Sequence, residues 1–140
     1  MCIQFTTLAE SNDFRHILQC EHGTLHLSWD LVTLYLSASE FEHLLNLLER
    51  GTRLVEPAKI SEPPCILSYK AQGYFQLWIR NFALNLTPID FLILVDLVRV
   101  AWRAACEQPA LEQPSVSAGD QPPMFQRTVA ASAQVSFSLN

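Results

Sequence analysis

Between Gly23 and Phe41 the chain reads GTLHLSWDLVTLYLSASEF, and apolar and polar positions alternate through its first half. Leu25, Leu27 and Trp29 fall on one side; after a break near Asp30, Val32, Leu34 and Leu36 do the same. Successive side chains leave a strand in opposite directions, so a period of two marks strands with one buried face. The spacing predicts two paired strands. From about Ala38 to Arg50 the period lengthens, with Phe41, Leu44, Leu45 and Leu48 forming the stripe of an amphipathic helix that Gly51 ends as a left-handed cap. Glu42 and His43 lie off that stripe and are expected in water.

Fifty residues later the pattern returns as GYFQLWIRNFALNLTPIDF, Gly73 to Phe91. Without a gap, Gly23 aligns with Gly73, Leu27 with Leu77, Leu34 with Leu84, Leu36 with Leu86, Phe41 with Phe91, Leu44 with Leu94 and Leu47 with Leu97. Phe75, Leu77 and Ile79, then Phe82, Leu84 and Leu86, make the second strand pair. Ser37 aligns with Thr87 and Glu40 with Asp90, each just ahead of a matched phenylalanine. A hydroxyl there accepts from the amide three residues on and an acidic group offsets the helix dipole, so both are helix starts; only Glu40 completes a capping box. Pro88 suits a first helical turn. The second helix is expected from about Pro88 to Glu107. Past its first turn Asp96, Arg99 and Arg103 share one narrow strip and nearly everything else is apolar, which predicts a central position or cover by a second chain.

A further strand precedes each glycine, in FRHILQC and CILSYKA. The fold class is therefore α+β: two similar β-β-β-α units, about 14–51 and 65–107, with antiparallel sheet and two helices packed on one face, in a single domain over 1–107. The linker TRLVEPAKISEPP carries three of the eight prolines and is expected to be an exposed crossover. Residues 108–140 are rich in Pro, Ser and Gln without a sustained period and are expected to be a flexible tail. Through Met124, Phe125 or Phe137 this tail is the alternative cover for an apolar face otherwise left to a partner.

Composition narrows the function classes. At 140 residues and 49% hydrophobic, the chain suits one core. Fourteen acidic against nine basic residues, without a basic stripe, argue against a nucleic-acid partner. No secretory leader is read at the amino terminus, and the most apolar window, Phe91 to Cys106, is broken by three charges, so no membrane role is expected. Cys2, Cys20, Cys65 and Cys106 have no recurrent spacing, which fits reduced thiols in a cytoplasm better than a disulfide framework or zinc ribbon.

Two groups of residues suggest a role. His16, His22 and His26 fall within eleven residues together with Cys20, and imidazole with thiolate suits soft metals. A tight turn at His22 and Gly23 would set Cys20 opposite Leu25 and His16 opposite Trp29 on the core face, and Gln19 opposite His26 on the outer face. Cys20 with His22 or His16, helped by another segment or chain, is then the most that this cluster offers a metal ion. The same register in the second unit turns Leu67, Tyr69, Tyr74 and Trp78 outward, where the first presents Ile17, Gln19, Thr24 and Ser28. An aromatic outer face of this kind anchors a protein partner or a second copy in a homodimer. No GxSxG, HExxH, Walker or dinucleotide glycine motif appears, so no catalytic residue and no cofactor is assigned. The expected role is a non-enzymatic protein-binding or assembly module acting through the apolar helix and the aromatic face. The alternatives are a metal or thiol sensor at His16, Cys20 and His22, and an enzyme of unassigned class.

HILQCEHGTLHLSWDLVTLYLSASEFEHLLNLL, within Phe14 to Arg50, resembles a pattern of small uncharacterised bacterial proteins: a strand ending in Cys, a glycine turn, an LxL strand and an EF-containing amphipathic helix. The resemblance implies no particular activity or site.

Overall fold

The alternating segments all form strands, and both periodic segments form helices. The computed structural model describes residues 2–107, so the expected tail lies outside the described residues. In chain order the first unit holds β1 (Phe5–Asn12), β2 (Arg15–Cys20), β3 (Leu25–Trp29), β4 (Val32–Leu36) and α1 (Ala38–Gly51). The second holds β5 (Ala58–Glu62), β6 (Cys65–Tyr69), β7 (Phe75–Ile79), β8 (Phe82–Leu86) and α2 (Pro88–Glu107). The two sheets are antiparallel meanders in the orders β1-β2-β3-β4 and β5-β6-β7-β8.

The chain is thus α+β with two similar units, each carrying one strand more than its alternation predicts. β1 escapes a period-two reading because its register with β2 slips twice, between Thr7 and Ala9 and between Glu10 and Asn12, so that Leu8 and Ala9 are buried side by side. β5 alternates, but is five residues long and lies between Pro57 and Pro63. The linker expected to be a bare crossover therefore contributes an edge strand.

The helices cross between units. α1 packs on β5 and β6, α2 packs on β1 and β2, and the helices touch each other. Residues from all of these elements merge into one core, in which Ile17, Leu27, Phe41, Leu44, Leu67, Leu77 and Leu94 are fully buried. Phe91 of α2 stacks on Phe75 with ring centroids 3.9 Å apart, and Phe75 stacks in turn on Tyr69 at 4.6 Å. At the helix–helix contact Arg99 donates to both carboxylate oxygens of Glu49, at 2.7 and 2.9 Å. Positions 49 and 99 are equivalent under the fifty-residue offset. Their meeting places a local two-fold axis between the helices, as in a symmetric dimer whose two halves have been joined in one chain.

The junctions where each helix starts against the other unit stand at equivalent places but are built from different residues, Arg15 and Asp30 at one and Cys65 and Arg80 at the other. Arg15 donates to Asp30 at the β3–β4 turn and to Asp90 in the first turn of α2, with its guanidinium 4.0 Å above the Trp29 ring. Arg80, at the matching β7–β8 turn, reaches Glu40 in the first turn of α1 and the Tyr35 carbonyl in β4. Asp30 and Arg80 both adopt positive φ, 57° and 56°.

Gly51 plays a different part from the one its position suggested. It lies inside α1, and the C-cap is Thr52 in right-handed conformation. A Cβ at Gly51 would collide with Leu67 Cδ2 and come within 2.9 Å of the Phe91 ring, so this glycine permits close approach of three elements. His43 is half-buried, and its Nδ1 donates to the Pro63 carbonyl at 2.8 Å; Glu42 is exposed as expected.

Candidate functional site

The position of every candidate side chain follows from the β2–β3 hairpin. Its loop has three residues, Glu21, His22 and Gly23, closed by hydrogen bonds from the Cys20 amide to the Thr24 carbonyl and from the Gly23 amide to the Cys20 carbonyl. Gly23 supplies the positive φ, 86°, that a side chain would resist. A two-residue turn had been expected. The extra loop residue moves the register by one, pairing Ile17 with Leu27, Leu18 with His26 and Gln19 with Leu25. A slip of one reverses every side chain of the displaced strand. β3 keeps its expected faces while β2 is turned over: Ile17 enters the core, and His16, Leu18 and Cys20 share the face of His26 and Ser28.

Cys20 is buried all the same, at 5% exposure, but apart from the contiguous core cluster. The amino-terminal segment covers it. Glu21 holds that segment by accepting from the Ile3 amide, at 3.1 and 3.2 Å, and from the Gln4 amide at 3.0 Å. Cys2 is thereby held against the hairpin, with its Sγ 3.6 Å from His22 Nδ1 and 3.8 Å from His26 Nε2. Cys20 Sγ is 3.8 Å from the same His22 nitrogen. The donor atoms of Cys2, Cys20, Glu21 and His22 all lie within 4.8 Å of one another. The His26 ring is held edge-on between Phe5 and Tyr35, at centroid distances of 5.1 and 4.7 Å.

This setting alters both thiols. Burial pushes Cys20 toward its neutral form, but hydrogen bonds from the Cys2 thiol and the His26 and His22 rings, with one from the His22 backbone, outweigh it and bring the group down to about 5. Cys2 is raised, chiefly because it holds the proton of its hydrogen bond to Cys20. Cys65 makes the contrast: buried in the core, it is pushed up to about 11.

Of the residues suggested for a metal, Cys20 and His22 come together. His16 does not: it pairs with Ser28 and is separated from Cys20 along the strand by Leu18. Beside them stand Cys2, which the sequence reading does not bring to this cluster, and His26, which it turns to the opposite face. Cys2 carries no local signal, since only the fold returns the amino terminus to the hairpin, whereas His26 was assigned to the outer face while Cys20 was placed on the inner one.

The aromatic face of the second unit is altered by the same slip. The β6–β7 loop is again of three residues, closed by Lys70 to Tyr74 and Gly73 to Lys70 hydrogen bonds, with Gly73 at φ 93°. Leu67 pairs with Leu77 and is fully buried, and Tyr69 pairs with Phe75 and packs on the core. Neither faces outward. Tyr74, half-buried at the loop end, and Trp78, 37% exposed with its Nε1 donating to Gln76, alternate with the buried Phe75 and Leu77 and keep to the outer side.

The apolar surface lies instead on α2. Phe91, Leu94, Val95, Leu97, Val98 and Ala101 face the core, while Ile89 is 71% and Leu92 58% exposed, with Val100 further along the same outer side. At the equivalent positions α1 shows Ser39, Glu42 and Arg50, all exposed. Phe14 and Leu31 are exposed beside the Arg15–Asp90 junction where α2 begins. No helix among the described residues is long and apolar enough to cross a membrane. No family model matches the chain, and neither a curated protein nor a solved structure is significantly similar to it.

Proposed function

We propose that the protein is a non-enzymatic binding module that assembles through the outer face of α2, with a second copy of itself as partner. The observation that carries this reading is the difference between the two helices. They share one plan and one set of inward residues, yet where α1 offers Ser39, Glu42 and Arg50 to water, α2 offers Ile89, Leu92 and Val100. Burial of apolar surface is worth roughly 25 cal/mol per Å², so exposed apolar side chains gathered on one side of a helix are a source of association energy. Asp96, between Leu92 and Val100, and Arg103, one turn beyond Val100, stand on this same exposed side and would give a partner orientation more than affinity. Trp78, outward on sheet β5–β8, is a second and smaller apolar contact. Free thiols throughout the described residues fit a reducing, cytoplasmic setting.

The test is the molar mass of the full chain by light scattering across a concentration series. The expected result is a dimer that Leu92→Glu converts to monomer with an unchanged circular dichroism spectrum. A wild-type chain that stays monomeric at high concentration would overturn self-assembly, as would a dimer indifferent to both Leu92→Glu and Ile89→Lys.

A further inference from the structure

The geometry points to a zinc site made by Cys2, Cys20, His22 and His26. It is a feature distinct from the apolar face of α2 and stands or falls without it. Zinc binds thiolate sulfur at about 2.3 Å and imidazole nitrogen at about 2.0 to 2.1 Å in tetrahedral array, which sets sulfur and nitrogen ligands about 3.5 to 3.6 Å apart. Three of the four sulfur–nitrogen pairs are in close contact, Cys2 with His22 at 3.6 Å and with His26 at 3.8 Å, and Cys20 with His22 at 3.8 Å. Hydrogen bonding alone accounts for this poorly, because His22 Nδ1 has either one proton or one lone pair, yet it faces two sulfurs. A cation at the centre uses every approach together. The two thiols and the His22 imidazole lie within 4.8 Å of one another, and His26 Nε2 adds a second imidazole through its contact with Cys2; two thiolates with two imidazoles suit zinc, and with His22 exposed and Cys2 half-buried ions can reach the site.

The surrounding groups support this assignment. The Glu21 carboxylate is engaged by the Ile3 and Gln4 amides, which makes Glu21 a positioning residue that brings Cys2 to the hairpin. Phe5 and Tyr35 orient the His26 ring from both sides. Such outer partners fix the direction of a ligand before the metal arrives. The second unit builds the same loop with Lys70, Gln72 and Gln76 at the places of Cys20, His22 and His26, so the backbone itself requires neither thiol nor imidazole.

Binding forms two Zn–S and two Zn–N bonds, and the protons carried by the sulfurs pass to solvent. The ion then ties the amino-terminal segment to the β2–β3 hairpin just ahead of β1, the edge strand on which α2 packs. Zinc would therefore stabilise the part of the fold that supports the second helix.

The test uses the reduced full chain, loaded with zinc chloride and freed of excess by gel filtration. Residues 108–140 contain neither Cys nor His, so they add no competing thiol or imidazole. One zinc per chain is expected, together with a raised midpoint of thermal unfolding and, with cobalt in its place, the intense visible bands of a tetrahedral thiolate complex. Cys2→Ser and His22→Ala change a terminal segment and an exposed loop, so both variants keep the fold; each should weaken zinc binding at least tenfold, the loss that removing even an outer-shell partner can cause. Glu21→Gln should weaken it less than either, and Cys106→Ser not at all. Absence of retained zinc, or retention unchanged in Cys2→Ser, would overturn the assignment. So would a reduced chain that takes up no metal but forms a Cys2–Cys20 disulfide on mild oxidation, which would make the cluster a redox pair.

Discussion

The two units fold alike and face the solvent differently. Their hairpin loops close through the same two hydrogen bonds, their glycines stand at φ 86° and 93°, and their second turns begin with residues at 57° and 56°. Their inward residues correspond as well: Ile17 with Leu67, Leu27 with Leu77, Phe41 with Phe91 and Leu44 with Leu94 are all buried. The outer positions have no such agreement. Cys20, His22 and His26 stand against Lys70, Gln72 and Gln76, and Ser39, Glu42 and Arg50 against Ile89, Leu92 and Val100. A shared backbone is thus maintained by interior packing, and each unit is left free to carry its own chemistry: sulfur and imidazole on the first, an apolar helix face on the second.

The largest effect should come from the interior, where the units are equivalent. Leu27→Ala and Leu77→Ala each remove a fully buried side chain from a central strand, at a cost of about 2 to 5 kcal/mol. Because α1 and α2 are exchanged between the sheets and one core spans both, each substitution should lower a single cooperative transition in urea by a similar amount. Two separate transitions, or a loss confined to one half of the molecule, would show that the units are independent.

Gly51 and Ala101 sharpen the same comparison at a place where symmetry is broken. These positions align, and both are buried in helices, but only Gly51 has Leu67 and Phe91 against its backbone. Gly51→Ala gains the better helix former, up to about 1 kcal/mol, and pays for overpacking a full core by about 1 to 3 kcal/mol. Net destabilisation is expected in the denaturation midpoint. Ala101→Gly should also destabilise, by about 1 kcal/mol from helix propensity alone. If Gly51→Ala stabilised the protein instead, the close approach of Leu67 and Phe91 would be no constraint.

How much of this was legible in the sequence depends on the range of the force that decides each feature. Strands β3, β4, β7 and β8 and the start of each helix are local, and they were read from alternation and caps to the residue. The Ser37 capping box is present in full, with Glu40 returning to the Ser37 amide, whereas Thr87 caps the Asp90 amide without a return bond. The register of β2 and β6 was not legible, because it depends on whether a loop holds two residues or three. That one choice placed Leu67 and Tyr69 on the wrong face and parted Cys20 from His26. β1 was lost to its two register slips. Cys2 could be found only through tertiary structure, since eighteen positions separate it from Cys20. The apolar excess of α2 was read correctly from composition, although its outward members could be identified only once the partner sheet was known.

The junction arginines should give a smaller difference. Arg15 is 16% exposed, stacks on Trp29 and joins Asp30 to Asp90; Arg80 is 44% exposed and reaches Glu40. Arg15→Met should therefore cost about 1 to 2 kcal/mol, from the cation–π contact and three charge-assisted bonds to two carboxylates. Arg80→Met should cost less than about 1 kcal/mol, as expected of an exposed pair. Equal losses would mean that burial at the first junction confers no advantage over the second.

The smallest effect concerns acid. Glu40 is held below the ordinary carboxylate range chiefly by its hydrogen bond from the Ser37 amide, against burial that works to raise it, with Arg80 adding to the lowering. A group depressed in the folded state contributes stability that is fully present above its unfolded value, here 4.5, and is lost as pH falls through the folded value. The protein should consequently show no loss from this source between pH 7 and 5, and a loss below about pH 4. Glu40→Gln keeps an oxygen for the Ser37 amide but no charge to titrate, so its urea midpoint should decline less steeply over the acid range. Solvent and salt screen a partly exposed group, which limits the difference to under about 1 kcal/mol and predicts that it shrinks further at high ionic strength. An acid limb as steep in Glu40→Gln as in the parent would assign the loss to Glu49 or Asp30, whose carboxylates are likewise depressed by arginine partners at the other contacts between the units and their turns.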